Sequence, residues 1–195
     1  ISATMSSAAA AAGPVIKVKS VTPTSVTLYW TKDSSALSYE LERSTDAKTW
    51  TKIKTGIAKD TTEYTDSKSL TTGKSYAYRI RSKRLLGYTD YSAYVVGKPV
   101  PAQVTGLKVG GANNTQVKLV WNKVSSISGY TVQYYTSGAW KTIKNVTTNS
   151  YIVSGLKLGT NYNFRVAAYK TVSGTKVYGA VSATLKTSPI LVATS

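Results

Sequence analysis

The 195-residue chain contains no cysteine and no histidine. Without cysteine there is no disulfide framework, no thiolate metal site and no cysteine nucleophile. Without histidine there is no imidazole ligand and no Ser-His-Asp triad. Methionine and phenylalanine occur once each. No apolar run approaches the roughly 18 residues that a membrane-crossing helix needs. Acidic residues are scarce: 8 Asp and Glu stand against 25 Lys and Arg, for a net charge of +17. All eight (Asp33, Glu40, Glu42, Asp46, Asp60, Glu63, Asp66 and Asp90) precede residue 100. Residues 1–100 carry 15 basic side chains; residues 101–195 carry 10 and no acid. The second half therefore cannot supply a glycosidase carboxylate pair or a carboxylate calcium site.

What the chain does have is tyrosine, 15 residues of it, with 4 tryptophans and a 42% hydrophobic share. That is enough apolar surface for ordinary cores. Tyrosine with abundant threonine and serine and little phenylalanine suits β-strands. The chain begins with Ile1 rather than Met; a processed chain or a piece of a longer array is expected.

Four stretches recur at offsets of 86 to 91 residues. Ser25-Val26-Thr27-Leu28-Tyr29-Trp30 matches Gln116-Val117-Lys118-Leu119-Val120-Trp121. Tyr39-Glu40-Leu41 matches Tyr130-Thr131-Val132, and Trp50-Thr51-Lys52-Ile53 matches Trp140-Lys141-Thr142-Ile143. The stretch from Leu70 to Ile80 matches Leu156 to Val166, each with a Leu-x-x-Gly-x-x-Tyr-x-aromatic pattern. The chain thus holds two copies of one module, residues 14–100 and 101–188. A tail of residues 1–13 precedes them, and residues 189–195 follow. Val26, Leu28 and Trp30 alternate with polar residues, as do Tyr76, Tyr78 and Ile80. That is the period of half-buried strands, with turn residues every 8–12 positions or so.

These marks resemble fibronectin type III domains, twice over, of the kind found in secreted or surface proteins of Gram-positive bacteria. The resemblance covers about residues 14–188. It implies an all-β chain of two tandem immunoglobulin-like β-sandwiches, with Trp30 and Trp121 in the cores. It also implies that Tyr76 and Tyr162 are corner tyrosines bonding back to nearby backbone. The fold by itself points to spacer or adhesion roles. The Arg-Gly-Asp tripeptide is absent, so integrin-type binding is not implied.

No catalytic constellation and no cofactor site are legible. Glu40 and Glu42 lie two apart on a strand, and a solvated face beside Lys or Arg is preferred to a catalytic pair. Arg79, Arg81 and Lys83 form an outward stripe, read first as a solvated face and second as an anion patch. Trp50, Trp140, Tyr135, Arg79 and Arg81 are the candidate contacts for a glycan or anion. A +17 surface needs anionic surroundings. Cell-wall polymers and acidic polysaccharide fit better than nucleic acid, since the lysines are scattered and no nucleic-acid motif occurs. Asn113 and Asn145 head two sequons, possible surface glycosylation sites.

The ends carry a separate hint. Residues 1–13 are small and uncharged; Ile190-Leu191-Val192 is apolar and β-prone without a core of its own. Ile1, Ala8, Ala10, Ala12, Ile190, Leu191 and Val192 are candidate docking residues onto other copies of the chain, head to tail. The expected function is a non-catalytic extracellular or cell-surface structural or adhesive protein. The alternative is a module that binds carbohydrate or an anionic wall polymer.

Overall fold

A computed structural model describes residues 10–193. All regular elements in it are β-strands, and the chain divides into two compact units between Pro99 and Val100.

The first unit contains β1 (Ile16–Thr22), β2 (Ser25–Trp30), β3 (Ser38–Ser44), β4 (Thr51–Ala58), β5 (Glu63–Asp66), β6 (Tyr76–Arg84), β7 (Gly87–Tyr88) and β8 (Val95–Gly97). One sheet has the order β1-β2-β5, the other β4-β3-β6-β7, with β8 also pairing β6. The second unit repeats this plan with β9 (Lys108–Ala112), β10 (Val117–Val120), β11 (Gly129–Thr136), β12 (Ala139–Val146), β13 (Ser150–Val153), β14 (Tyr162–Val172), β15 (Thr175–Tyr178) and β16 (Leu185–Thr187). Its sheets run β13-β10-β9 and β12-β11-β14-β15, with β16 on β14. Every pairing is antiparallel. The all-β tandem sandwich expected from the sequence is what forms.

Alternation explains the cores. Val26, Leu28 and Trp30 of β2 face Tyr39, Leu41, Tyr78 and Ile80 of the opposite sheet. Val117, Leu119, Trp121, Tyr130, Val132, Phe164 and Val166 do the same in the second unit. Trp30 meets Tyr39 edge-on at 5.6 Å between ring centres, and Trp121 meets Tyr130 at 5.3 Å. Each of these tyrosines turns its hydroxyl to the loop before its own strand. Tyr39 Oη accepts from Asp33 N at 3.0 Å, and Tyr130 Oη from Val124 N at 2.9 Å.

The corner tyrosines close the other end. Tyr76 Oη accepts the Thr71 N–H at 2.8 Å, and Tyr162 Oη the Lys157 N–H at 2.9 Å. Between bond and ring stand Gly73 and Gly159, at φ +86° and +79°, a backbone region where glycine carries no Cβ penalty. Tyr76 is buried and Tyr162 only half-buried. Tyr76→Phe should therefore cost about 1–2 kcal/mol, the desolvation of an unpaired N–H. Tyr162→Phe should cost less, because water can replace its hydroxyl. Urea unfolding of the two variants checks the order.

The cores differ in one place. Asp66 of β5, fully buried, accepts from the Tyr78 hydroxyl at 2.8 Å and from Arg43 at 2.7 Å. Burial, with Asp66 beside it, pushes the Tyr78 pKa up. Asp66 pairs with Val26, and Arg43 with Tyr78. The same register positions of the second unit hold Val153, opposite Val117, and Tyr134, opposite Phe164. A charged triad in one module is an apolar one in the other.

Candidate functional site

The outward faces of the two larger sheets carry most of the singled-out aromatic and charged residues. In the first module the face is a closed ionic layer. Glu40 pairs with Arg81 at 2.7 Å and with Lys52 at 3.5 Å; Glu42 pairs with Arg79 at 2.7 Å. These carboxylates point outward as the alternation predicts, yet both residues are buried. The solvated-face expectation for Glu40, Glu42, Arg79 and Arg81 is thus corrected. Aromatic rings roof them. The Arg79 guanidinium lies 4.3 Å from the centre of Trp50 and 4.1 Å from that of Tyr91. Arg81 lies 3.8 Å from Tyr88 and 4.6 Å from Tyr91. Trp50 in turn leans on Tyr94, 6.0 Å away. Cation–π contacts of this kind are strongest where water is excluded. Burial acts to raise the Glu40 pKa, but Arg81 and Lys52 outweigh it and hold the carboxyl below its ordinary value. Burial and the nearby Glu42 charge push the Tyr91 phenol up to about 12. At the end of the stripe Arg84 grips Asp33 with two hydrogen bonds, at 2.9 and 3.0 Å, and lowers its pKa.

The second module keeps the scaffold and loses the acids. Its β11–β14 register sets Gln133 opposite Arg165 and Thr131 opposite Ala167. In the first module those places hold Glu42 opposite Arg79 and Glu40 opposite Arg81. Arg165 lies 4.3 Å from the centre of Trp140, as Arg79 does from Trp50. Its Nε donates to Gln133 Oε1 at 2.8 Å. Tyr135 and Trp140, facing each other across the β11–β12 hairpin, meet edge-on at 5.4 Å. Where Arg81 would stand there is only the Ala167 methyl, and a hollow of about 250 Å³ opens between Thr131, Gln133, Arg165, Ala167 and Tyr178.

The candidate glycan or anion residues thus fall into two groups. Trp50, Arg79 and Arg81 come together in the first module, with both arginines already neutralised by Glu42 and Glu40. Tyr135 and Trp140 come together in the second, with Arg165 stacked on Trp140. Arg165 was not among the expected contacts, though the repeat alignment places it opposite Arg79. Tyr169 has outward parity but is buried under Tyr178, at 5.8 Å.

Of the sequon asparagines, Asn113 is exposed and shapes the β9–β10 turn, its Oδ1 accepting from Thr115 N and Gln116 N. Asn145 is exposed and accepts from the Thr131 hydroxyl at 2.6 Å.

The described tail residues lie on their own modules. Ala10 and Ala12 are exposed; between them Ala11 O accepts from Asp90 N at 2.8 Å. Ile1 and Ala8 lie outside the described residues. At the other end Ile190 N donates to Asn113 O at 3.1 Å, and Val192 N to Asn114 Oδ1 at 2.7 Å. The side chains of Ile190, Leu191 and Val192 remain exposed. Among the described residues no three acidic side chains converge as a metal site would require, and no helix is long and apolar enough to cross a membrane.

The family model for the fibronectin type III domain matches residues 102–182. Among curated proteins, a poly(3-hydroxybutyrate) depolymerase of Ralstonia pickettii is 37% identical over 92 residues, 47% of this chain and 18% of that protein. Protein sidekick-2 of Mus musculus is 24% identical over 185 residues, 85% of this chain and 8% of that protein. The chain spans less than a fifth of the length of the curated relatives it matches. Among solved structures, a segment of two fibronectin type III domains from chicken tenascin is 16% identical, with a TM-score of 0.43. It covers 90% of this chain and 97% of its own. Residues 102–182 thus belong to the fibronectin type III family, and the first module repeats the strand plan, buried tryptophan and corner tyrosine of the second.

Proposed function

We propose that the chain is a non-catalytic structural and adhesive spacer within an extracellular or cell-surface protein. The observation that carries this reading is the self-sufficiency of each module. Each closes its own core with its own tryptophan and corner tyrosine, and its terminal segment is tied back to its own loops. Four carboxylates of the first module, Asp33, Glu40, Glu42 and Asp66, are largely buried and spent on arginines as ion pairs. A nucleophile needs an adjacent base with an open approach, and these carboxylates have arginine partners in that place instead. The short share of each curated relative that the chain matches fits a part that holds other parts at a distance.

Head-to-tail docking is a second reading, favoured by the exposed Ile190, Leu191 and Val192 side chains. Against it, two backbone N–H groups of that strip are already engaged by Asn113 and Asn114, and β-augmentation needs such groups unspent. Sedimentation of the full chain up to millimolar concentration decides between them. A monomer throughout is the expected result. Concentration-dependent polymers that vanish on removal of residues 189–195, with both modules still folded, would replace the spacer by a filament subunit.

A further inference from the structure

The hollow beside Arg165 has an internal reference, because the first module shows what chemistry occupies the corresponding place. There, two carboxylates (Glu40 and Glu42) lie against two arginines. In the second module one arginine is kept, both carboxylates are replaced by the neutral Thr131 and Gln133, and the second arginine is replaced by Ala167. Residues 101–195 contain no Asp or Glu, so no side chain of the module can neutralise Arg165. Of its five N–H donors, Nε is committed to Gln133 Oε1. Stacking on Trp140 fixes the plane of the guanidinium. Buried Thr131 binds Asn145 and the Tyr178 hydroxyl, at 2.6 and 3.3 Å. Tyr178 itself is 45% exposed at the rim.

We infer that this hollow binds the carboxylate of an acidic sugar in a polysaccharide, with Arg165 as its cation and Tyr178 as the ring against which the sugar lies. A fixed guanidinium presents paired donors that match a planar carboxylate. The amide of Gln133 and the hydroxyl of Tyr178 are neutral groups suited to sugar hydroxyls, while the buried Thr131 hydroxyl, spent on Asn145, holds the floor of the hollow. A flat aromatic exposed at the rim, as Tyr178 is, suits the C–H face of a pyranose ring. The +10 charge of residues 101–195 draws a polyanion toward the face. The inference stands apart from the spacer reading, whose test by sedimentation does not involve this site.

Affinity electrophoresis of the full chain at about 0.15 M salt, where exposed charges more than roughly 8 Å apart are screened, tests it. Polygalacturonate should retard the protein more than neutral dextran, dextran sulfate or polyglutamate. Arg165→Gln should weaken retardation by polygalacturonate about tenfold or more, the loss of a paired charge-assisted contact. Lys118→Gln, which removes one charge from an exposed position on β10 of the other sheet, should change it less than twofold. A second variant, T131E/A167R, rebuilds the first module's ion pair in the hollow and should abolish the preference while the domain melts as before. Equal losses from Arg165→Gln and Lys118→Gln, or equal retardation by dextran sulfate, would mean diffuse charge and overturn the site. Equal retardation by polyglutamate would overturn the sugar.

Discussion

Asp66→Ala should destabilise the first module by about 3–5 kcal/mol, the usual cost of removing one partner of a buried ion pair. Asp66 is wholly inaccessible, and three donors depend on it: the Tyr78 hydroxyl at 2.8 Å, Arg43 at 2.7 Å and the Lys68 backbone N–H at 3.2 Å. Alanine would leave that hydroxyl buried without an acceptor and the guanidinium, 20% exposed, without a counterion. A domain of this size is stable by about 5–15 kcal/mol, so the variant sits near the edge of folding. The second module indicates how to repair it. Its Tyr134 and Phe164 occupy the register places of Arg43 and Tyr78, and its Val153 that of Asp66. The triple replacement R43Y/D66V/Y78F should recover most of the loss, since an apolar set of matching shape removes the desolvation penalty along with the charges. Urea unfolding, read on the first module's transition, checks both. A loss under about 1 kcal/mol for Asp66→Ala, or a triple variant no better than the single one, would show that the triad is not what holds β5 to the opposite sheet.

The division between what was readable and what was not follows parity. Inward positions of the strands are legible because burial selects for them: Trp30, Tyr39, Tyr76 and Tyr78, and their partners Trp121, Tyr130, Tyr162 and Phe164, follow from alternation and from the repeat. Outward positions are not, because alternation states only which way a side chain leaves the sheet. Arg79 and Arg81 leave outward and are nonetheless covered, by Trp50 from before β4 and by Tyr91 from beyond β7. No local pattern links those residues; only the fold brings them over β6. Asp66 is the converse case. An aspartate at a strand end reads as a turn residue, and its burial depends on Arg43, 23 positions earlier. Arg165 was available from the repeat as the counterpart of Arg79. Its importance rests on the missing glutamates, a difference between copies rather than a motif in either.

The uneven placement of acids makes the first module sensitive to acid and leaves the second nearly indifferent to it. The Asp33 carboxyl, through its Arg84 partner, and the Glu40 carboxyl, through Arg81 and Lys52 against the opposing effect of burial, are held below their ordinary values when folded. A carboxyl depressed by folding stabilises above its unfolded pKa, near 4, and that contribution disappears as pH falls through the lower folded value. Below that point Arg81 and Arg84 have lost the counterions they pair with at neutral pH. The Glu40 pair at about 1.5 kcal/mol, and about 4–8 °C of melting temperature per kcal/mol for domains of this length, predict a drop of about 6–12 °C between pH 7 and pH 2, to which the more exposed Asp33–Arg84 pair adds. Residues 101–195 hold no Asp, Glu, His or Cys. They therefore lack the carboxyl and imidazole side chains that take up protons on acidification, so the second module should melt at nearly the same temperature throughout. Calorimetry of the full chain should therefore show two transitions that separate on acidification. Assignment is direct, because Asp66→Ala lowers the acid-sensitive one alone. Transitions that move together would mean that the glutamate–arginine layer contributes nothing specific to the first module.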